Sequence, residues 1–282
     1  MAFSLIHRLL KTSQANAGAV NFAVECATPM AEATSRMSTP AQLNGTIFVS
    51  GTRALYVGPF LAAKRHAHNA AQILFAPEGL TIEDAEGGRI RATSAVIPPR
   101  LAHSHGACAH GALLFVDGDD PLSRDLTRKA EPSAEAWVRT NASVSVPRDP
   151  TLDEAKALIS AMVSALEPRG SANARHPASR RMSAFLGGRT HGDLASLSHQ
   201  AGLSPRQMRH TFARDMGLPM RAYVRWKRLR RAIAAVEEGA SLTIAAISAG
   251  FADGAHLSRV FAEQFGMTPT QGLSSVTWRT LD

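Results

Sequence analysis

The chain is poor in cysteine and has no long apolar run. Only Cys26 and Cys108 occur in its 282 residues, too few for a disulfide framework, so a packed core must hold the fold. No stretch approaches the ~20 consecutive apolar residues of a membrane-spanning helix, which predicts a cytoplasmic protein without a membrane partner. Low-complexity tracts and long heptad arrays are lacking too, which argues against a scaffolding role. What is present is ordinary for a globular protein: 45% hydrophobic and 19% charged residues. The length suits one large or two ordinary domains.

Net charge is absent from most of the chain as well. Residues 175–282 hold 15 of the 31 Lys and Arg but only 7 of the 23 Asp and Glu. The preceding residues balance, and the whole +8 falls in the last third. A neutral body joined to a basic module predicts a polyanionic partner for that module, most simply nucleic acid.

Residues 1–42, rich in Ala, Ser and Thr, read as a disordered extension. Between Thr46 and Asp120, short β-type runs at 46–49, 54–57, 72–75, 95–97 and 113–116 alternate with Gly, Pro and acidic turns. Many short strands at close spacing predict a sandwich or small barrel over 43–148. Within 149–167, Leu152, Ala155, Ile159, Met162, Val163 and Leu166 recur at three- and four-residue steps behind Thr151, a suitable N-cap. That stripe fits packing on the barrel or pairing two subunits in a homodimer. Residues 168–177 read as a linker, and 178–282 as helical throughout.

The helical part repeats itself. Ala201-Gly202-Leu203 leads to Phe212, Gly217 and Pro219, and Ala249-Gly250-Phe251 leads to Phe261, Gly266 and Pro269. Two copies of one supersecondary unit follow. In the first, a helix from Asp193 to Ala201 ends at Gly202, and a second starts with Ser204 as N-cap and Pro205 at its first position. In the second, a helix from Leu242 to Ala249 turns at Gly250, and Asp253 caps a helix reaching Phe265. Helix, glycine turn, helix is the helix-turn-helix pattern.

In the first copy Met208, Phe212 and Met216 must face the core, which leaves Arg206, Gln207, Arg209 and His210 outward. In the second, Leu257, Val260, Phe261 and Phe265 are the buried stripe, and His256, Ser258 and Arg259 look outward. Arginine can donate two bonds to a guanine edge, and glutamine pairs similarly with adenine. Between the copies, 220–238 predicts one long basic helix, with Arg225 available to phosphates. Such a rod would hold two reading heads one DNA turn apart, roughly 34 Å.

The last hundred or so residues resemble the DNA-binding domain of the AraC/XylS family of bacterial transcription regulators. The resemblance rests on Leu194-Ala195-Ser196-Leu197, Ala201 to Pro205, Phe212, the Tyr223, Arg228, Leu229, Ala232 pattern, and Gly250-Phe251, His256, Ser258-Arg259, Phe261 and Phe265 to Pro269. It implies promoter DNA as partner and, for an activator, RNA polymerase. Where the family commonly carries Lys or Arg between the second-copy phenylalanines, this chain has Ala262-Glu263-Gln264, so the second head should read fewer bases.

Family members often place a cupin-like effector-binding barrel ahead of this module. Gly58, His66, His68, Gln72 and Gly79 approximate the first cupin motif, with Gln72 where metal-binding cupins have Glu. Pro98 and His103 match the second, with Arg100 in place of its glycine. His66, His68, Gln72 and His103 are therefore the expected effector-binding residues. Three imidazoles could also hold Zn²⁺, Ni²⁺ or Fe²⁺, which leaves metal open and no cofactor expected. His105 and His110 read as loop residues.

The expected architecture is α+β: a cupin-like β-barrel, then an all-α domain of two helix-turn-helix units joined by a long helix. The expected function is sequence-specific, effector-controlled regulation of transcription, as an activator, with no enzymatic activity. The alternative is a cupin-type metalloenzyme or metal sensor tethered to a DNA-binding module.

Overall fold

A computed structural model describes residues 43–281, except 129–130, 139–143, 167–176, 189–194, 196–197 and 200. The expected N-terminal extension, most of the linker and most of the first helix of the first repeat lie outside the described residues.

Seven strands run from Thr46 to Val116: β1 (Thr46–Ser50), β2 (Arg53–Phe60), β3 (Ala63–His66), β4 (Ala71–Asp84), β5 (Arg89–Ile97), β6 (His103–His105) and β7 (Cys108–Val116). Strand β4 organises them. Its first half pairs β7, its second half pairs β6, and β5 pairs it on both sides of an irregularity between Phe75 and Leu80. Pro77, Glu78 and Gly79 (φ +70°) sit at that irregularity, where proline lacks a ladder donor and glycine tolerates the left-handed turn.

The expected barrel is not closed. Strand order is β3-β6-β4-β7-β2-β1-β8, where β8 is Thr277–Thr280, and β3 and β8 are the ends of the order. Two features explain this. The strands β3 and β6 are only four and three residues long, and the free side of β1 is taken by a strand from the far end of the chain. That strand, β8 (Thr277–Thr280), runs parallel to β1, pairing Thr46 with Thr277 and Val49 with Thr280. It interrupts a region expected to be wholly helical. Leu281, just beyond it, is buried in the same core as Phe48 and Leu55.

His105 and His110, expected in loops, lie in β6 and β7. The HSH run at 103–105 alternates buried, half-buried, buried, a strand pattern too short to stand out in the sequence.

Three helices follow β7: α1 (Pro121–Arg128), α2 (Ala134–Trp137) and α3 (Leu152–Ser164). Thr151 caps α3 in a full capping box with Glu154, and Ala155, Leu158, Ile159 and Met162 pack on the sheet against Phe48, Leu55 and Leu114. Ile159 and Met162 thus belong to the chain's own core.

The C-terminal part comprises α4 (Pro177–Gly188), α5 (Pro205–Met216), α6 (Met220–Glu237), α7 (Leu242–Ala249), α8 (Gly254–Phe265) and α9 (Pro269–Leu273). Ser204 and Asp253 cap α5 and α8 as expected, and Gly217, Gly250 and Gly266 close α5, α7 and α8 in the left-handed conformation. Each repeat has its own core. Met208, Phe212 and Met216 pack with Met182 and Tyr223. Leu257, Val260 and Phe261 pack with Trp226, Leu229 and Ala246. Sheet and helices belong to one compact unit, Pro40–Asp282. No helix among the described residues is long and apolar enough to cross a membrane.

Candidate functional site

The outward side of α5 carries Arg206, Gln207, Arg209 and His210, all exposed. The cause is the four-residue step of Met208, Phe212 and Met216, which turns that side away from the core. Gln207 is partly engaged already, because its Oε1 accepts from the Ser204 N–H at 2.9 Å. Its amide nitrogen and the second lone pair of Oε1 are left to reach a base.

Helix α8 presents less. Arg259 is exposed, whereas His256 and Ser258 are half-buried. The His256 ring meets Phe251 edge-on at 5.3 Å, and the Ser258 hydroxyl donates to Gly254 O at 2.8 Å. Arg225 on α6 forms a 2.8 Å ion pair with Glu263 on α8, so a phosphate would have to compete with that carboxylate. An exposed pair of this kind is weak, of order 0.2–1 kcal/mol, and a phosphate can displace it.

The four expected effector residues come together at one place in the sheet. His66 ends β3, and His68 follows it in the loop to β4, so a turn of chain brings the pair together. His103 opens β6, and Gln72 lies in β4. One nitrogen from each of His66, His68 and His103 lies within 4.8 Å of the others. Gln72 Oε1 faces His68 Nε2 at 2.6 Å and His103 Nε2 at 3.2 Å. Burial disfavours the charged form of each ring: His66 is pushed down to about 3, helped by the neighbouring His68, and His68, His103 and His105 are also lowered. All four are neutral imidazoles at pH 7.

A cavity of about 180 Å³ opens beside this cluster, between the sheet and the helices. Its walls are largely apolar: Leu113 and Phe115 from β7, Trp226 from α6, and Phe261, Phe265 and Met267 from α8 and its end. His66, Gln72 and His105 reach its lining, as do Arg53 and Arg230. His68 and His103, both 0% exposed, stand behind it.

The seam around the cavity rests on residues that no sequence motif singles out. Asp117, just after β7, accepts from Trp226 Nε1 at 2.8 Å and from Lys227 Nζ at 3.2 Å, and it also pairs with Arg230. Asp119 takes Tyr223 OH at 2.9 Å and Lys227 at 2.6 Å. Part of the basic charge on α6 is therefore matched inside the chain. The signal was available as an acidic cluster, Asp117 to Asp120 broken only by Gly118, opposite a chain segment carrying six Lys and Arg from Arg221 to Arg231. The end of α8 adds a second fastening: Asn69 N–H donates to Gln264 Oε1 at 2.9 Å, Gln264 Nε2 to Ala67 O at 3.2 Å, and Lys64 N–H to Gly266 O at 3.2 Å.

Residues 197–274 match the family model of a helix-turn-helix domain. The chain thus carries a helix-turn-helix domain over those residues, a unit that places a helix in the major groove of DNA. Among solved structures it is similar to ToxT from Vibrio cholerae, at 10% identity over 78% of this chain and 96% of that one, with a TM-score of 0.47. A probable AraC family transcriptional regulator from Rhodopseudomonas palustris is 25% identical over 36% of this chain and 94% of its own, with a TM-score of 0.31. The C-terminal domain of AraT, a response regulator from Geobacillus stearothermophilus, is 17% identical over 34% of this chain and 84% of its own, also at 0.31. No curated protein matches the chain.

Proposed function

We propose that this regulator reads promoter DNA in the cytoplasm with α5 and α8 and answers to a small organic effector held between sheet and helices. The observation that carries the DNA reading is the exposed cluster Arg206, Arg209 and His210 on a capped helix whose opposite side is fully buried. Helix α5 is the principal reader, because α8 keeps Arg259 exposed but has His256 and Ser258 engaged within the chain. The role is regulatory rather than enzymatic.

The cavity supports the effector reading. Its aromatic and aliphatic walls favour an apolar body, while His66 and Gln72 offer hydrogen bonds that fix its orientation. Both the sheet and the helices line it, so an occupant touches the element that senses and the element that reads.

Fluorescence anisotropy of the full-length protein on its own promoter tests the reading. Affinity is expected to fall steeply with salt, since several phosphate contacts release counterions. Arg209→Ala is expected to lose about 1–3 kcal/mol of discrimination at one base position. Equal affinity for promoter and scrambled DNA at every salt concentration would refute it.

A further inference from the structure

The cavity between sheet and helices has a charge balance that narrows its occupant beyond an apolar body. Four formally charged side chains reach its lining: Arg53, Asp117, Arg230 and Glu237. The two arginines are already matched, Arg53 by Asp120 at 2.8 Å and Arg230 by Asp117. Glu237 is not. It is half-buried and pairs with no cation among the described residues, and burial together with the adjacent Glu238 pushes its carboxyl above the ordinary value. The unmatched charge in the wall is negative.

Local structure makes this carboxylate costly where it stands. Trp226, Arg230, Ile233 and Glu237 follow one another at three- and four-residue steps on α6, so they share the stripe that lines the cavity. Glu237 ends that stripe at the C-terminus of the helix, where unsatisfied carbonyls already carry partial negative charge and a cation is the favoured neighbour. No basic residue stands in the last turn, and Glu238 follows as the cap. An acid placed against the helix dipole and facing a cavity breaks a local rule, as functional positions do. A ligand can supply the missing cation.

The histidines in the wall point the same way. His66 Nδ1 lies 2.8 Å from Lys64 O and His105 Nδ1 3.0 Å from Gly106 O. A carbonyl only accepts, so the neutral rings carry their proton on Nδ1 and present a lone pair on Nε2. Both rings are more than nine-tenths buried, at 6% and 7% exposed, and neither Nε2 has a hydrogen-bond partner among the described residues. Such acceptors attract a donor and repel a carboxylate.

We propose that the cavity binds a protonated amine on a small apolar body, with Glu237 as its counter-ion. The rings of Tyr56, Phe115, Trp226, Phe265 and Trp278 line the same space, and an aromatic face attracts an ammonium group. The volume sets the size of the body: a dry cavity of about 150 Å³ accepts benzene, so about 180 Å³ takes one ring with a short aminoalkyl arm. The proposal rests on the reading of this cavity as the effector site and names the charge that the effector carries. An amine seated on Glu237 holds the end of α6, the helix that joins the two reading units.

Tryptophan fluorescence of the full-length protein, titrated at pH 7 with benzylamine, benzyl alcohol and benzoate, provides the test, because Trp226 and Trp278 line the cavity. The three probes share a ring and one carbon and differ in the charge of the head group. Benzylamine is expected to saturate at about tenfold lower concentration than the alcohol, the scale of one charge-assisted hydrogen bond, and benzoate is expected not to saturate. Glu237→Gln should erase the preference for the amine without weakening the alcohol. Glu238→Gln, at an exposed position outside the lining, should keep it. Equal saturation by amine and alcohol in the wild-type protein, tighter binding of benzoate, or an amine preference that survives Glu237→Gln would overturn the proposal, as would saturation by none of the three. Amine binding that depends on Glu237 but leaves promoter affinity unchanged would support the amine site and refute the effector reading alone.

Discussion

The indole N–H of Trp226 donates to Asp117 Oδ1 at 2.8 Å, joining the middle of the linker helix α6 to the end of strand β7. Asp117 is 3% exposed and also takes Lys227 and Arg230. Removing a buried partner leaves the remaining charges uncompensated, at about 3–5 kcal/mol for a fully buried pair. Arg230 is a quarter exposed, which moderates the loss through solvent screening. Asp117→Ala should therefore lower stability by about 2–3 kcal/mol in urea unfolding and shift Trp226 emission to the red. A loss below about 0.5 kcal/mol, the scale of a neutral surface change, would show that the seam is held by its apolar contacts alone.

Gly217 and Gly266 close the two reading helices in the same conformation, at φ +72° and +67°, and both lie against the sheet half of the molecule. A Cβ on Gly217 would meet Thr127 Cγ2 at 2.9 Å, and one on Gly266 would meet Lys64 O at 2.3 Å. Gly239 has positive φ too, but nothing lies within 4 Å of its Cβ position. Gly239→Ala should show only the backbone penalty, about 1–2 kcal/mol. Gly266→Ala must in addition push α8 off β3, and its melting temperature should fall clearly further. Equal losses in the two variants would mean that the close approach at Lys64 is easily relieved.

Much of the helical half was legible because its signals are local. Ser204, Asp253 and Gly250 act within a turn of where they stand, and the stripe through Met208, Phe212 and Met216 is set by helix geometry alone. The sheet was legible in its strands but not in its closure. Whether β1 pairs round to β3 or takes β8 depends on residues at opposite ends of the chain, and Thr277-Trp278-Arg279-Thr280 alone does not announce a strand. The Asp117 cluster was hidden for the same reason, since its partners lie more than a hundred residues away. Arg100 falls between these cases. It replaces the glycine of the resembled motif, and it is the non-glycine residue with positive φ (+68°) among those described. The backbone still makes the turn, donating from Arg100 N–H to His68 O at 2.8 Å. Arg100→Gly should relieve that strain and raise stability by about 1 kcal/mol; a decrease would show that the arginine side chain makes a compensating contact.

Asp120 predicts an acid limb to the stability curve. Burial raises the pKa of its carboxyl, but hydrogen bonds from Arg53, the Leu122 N–H and Thr52, with the charge of Arg53, outweigh that and hold it below the ordinary value. A depressed folded-state pKa contributes stability that is present above the unfolded value, near 3.9, and is lost as pH falls through the folded value. Unfolding measured from pH 6 to pH 2 should therefore steepen below about 4 in the wild type and less so in Asp120→Asn. The substitution should also lower stability at pH 7, because Arg53 loses its 2.8 Å partner. Identical slopes in the two proteins would assign the acid limb to other carboxylates.

The strand at 277–280 combines two contributions that separate experimentally. It covers the edge of β1, and it delivers Leu281 into the core beside Phe48 and Leu55. An uncovered edge offers unpaired N–H and C=O groups to another chain, whereas loss of a buried leucine leaves a cavity costing about 2–5 kcal/mol. Leu281→Ala keeps the strand and should lower stability while the protein sediments as the wild type does. A chain ending at Val276 should lose comparable stability and, in addition, self-associate with rising concentration, because β1 is then free to pair with a second copy. If the truncated protein sediments like Leu281→Ala at all concentrations, this strand does not serve to protect the edge, and its contribution reduces to anchoring the end of the helical half on the sheet.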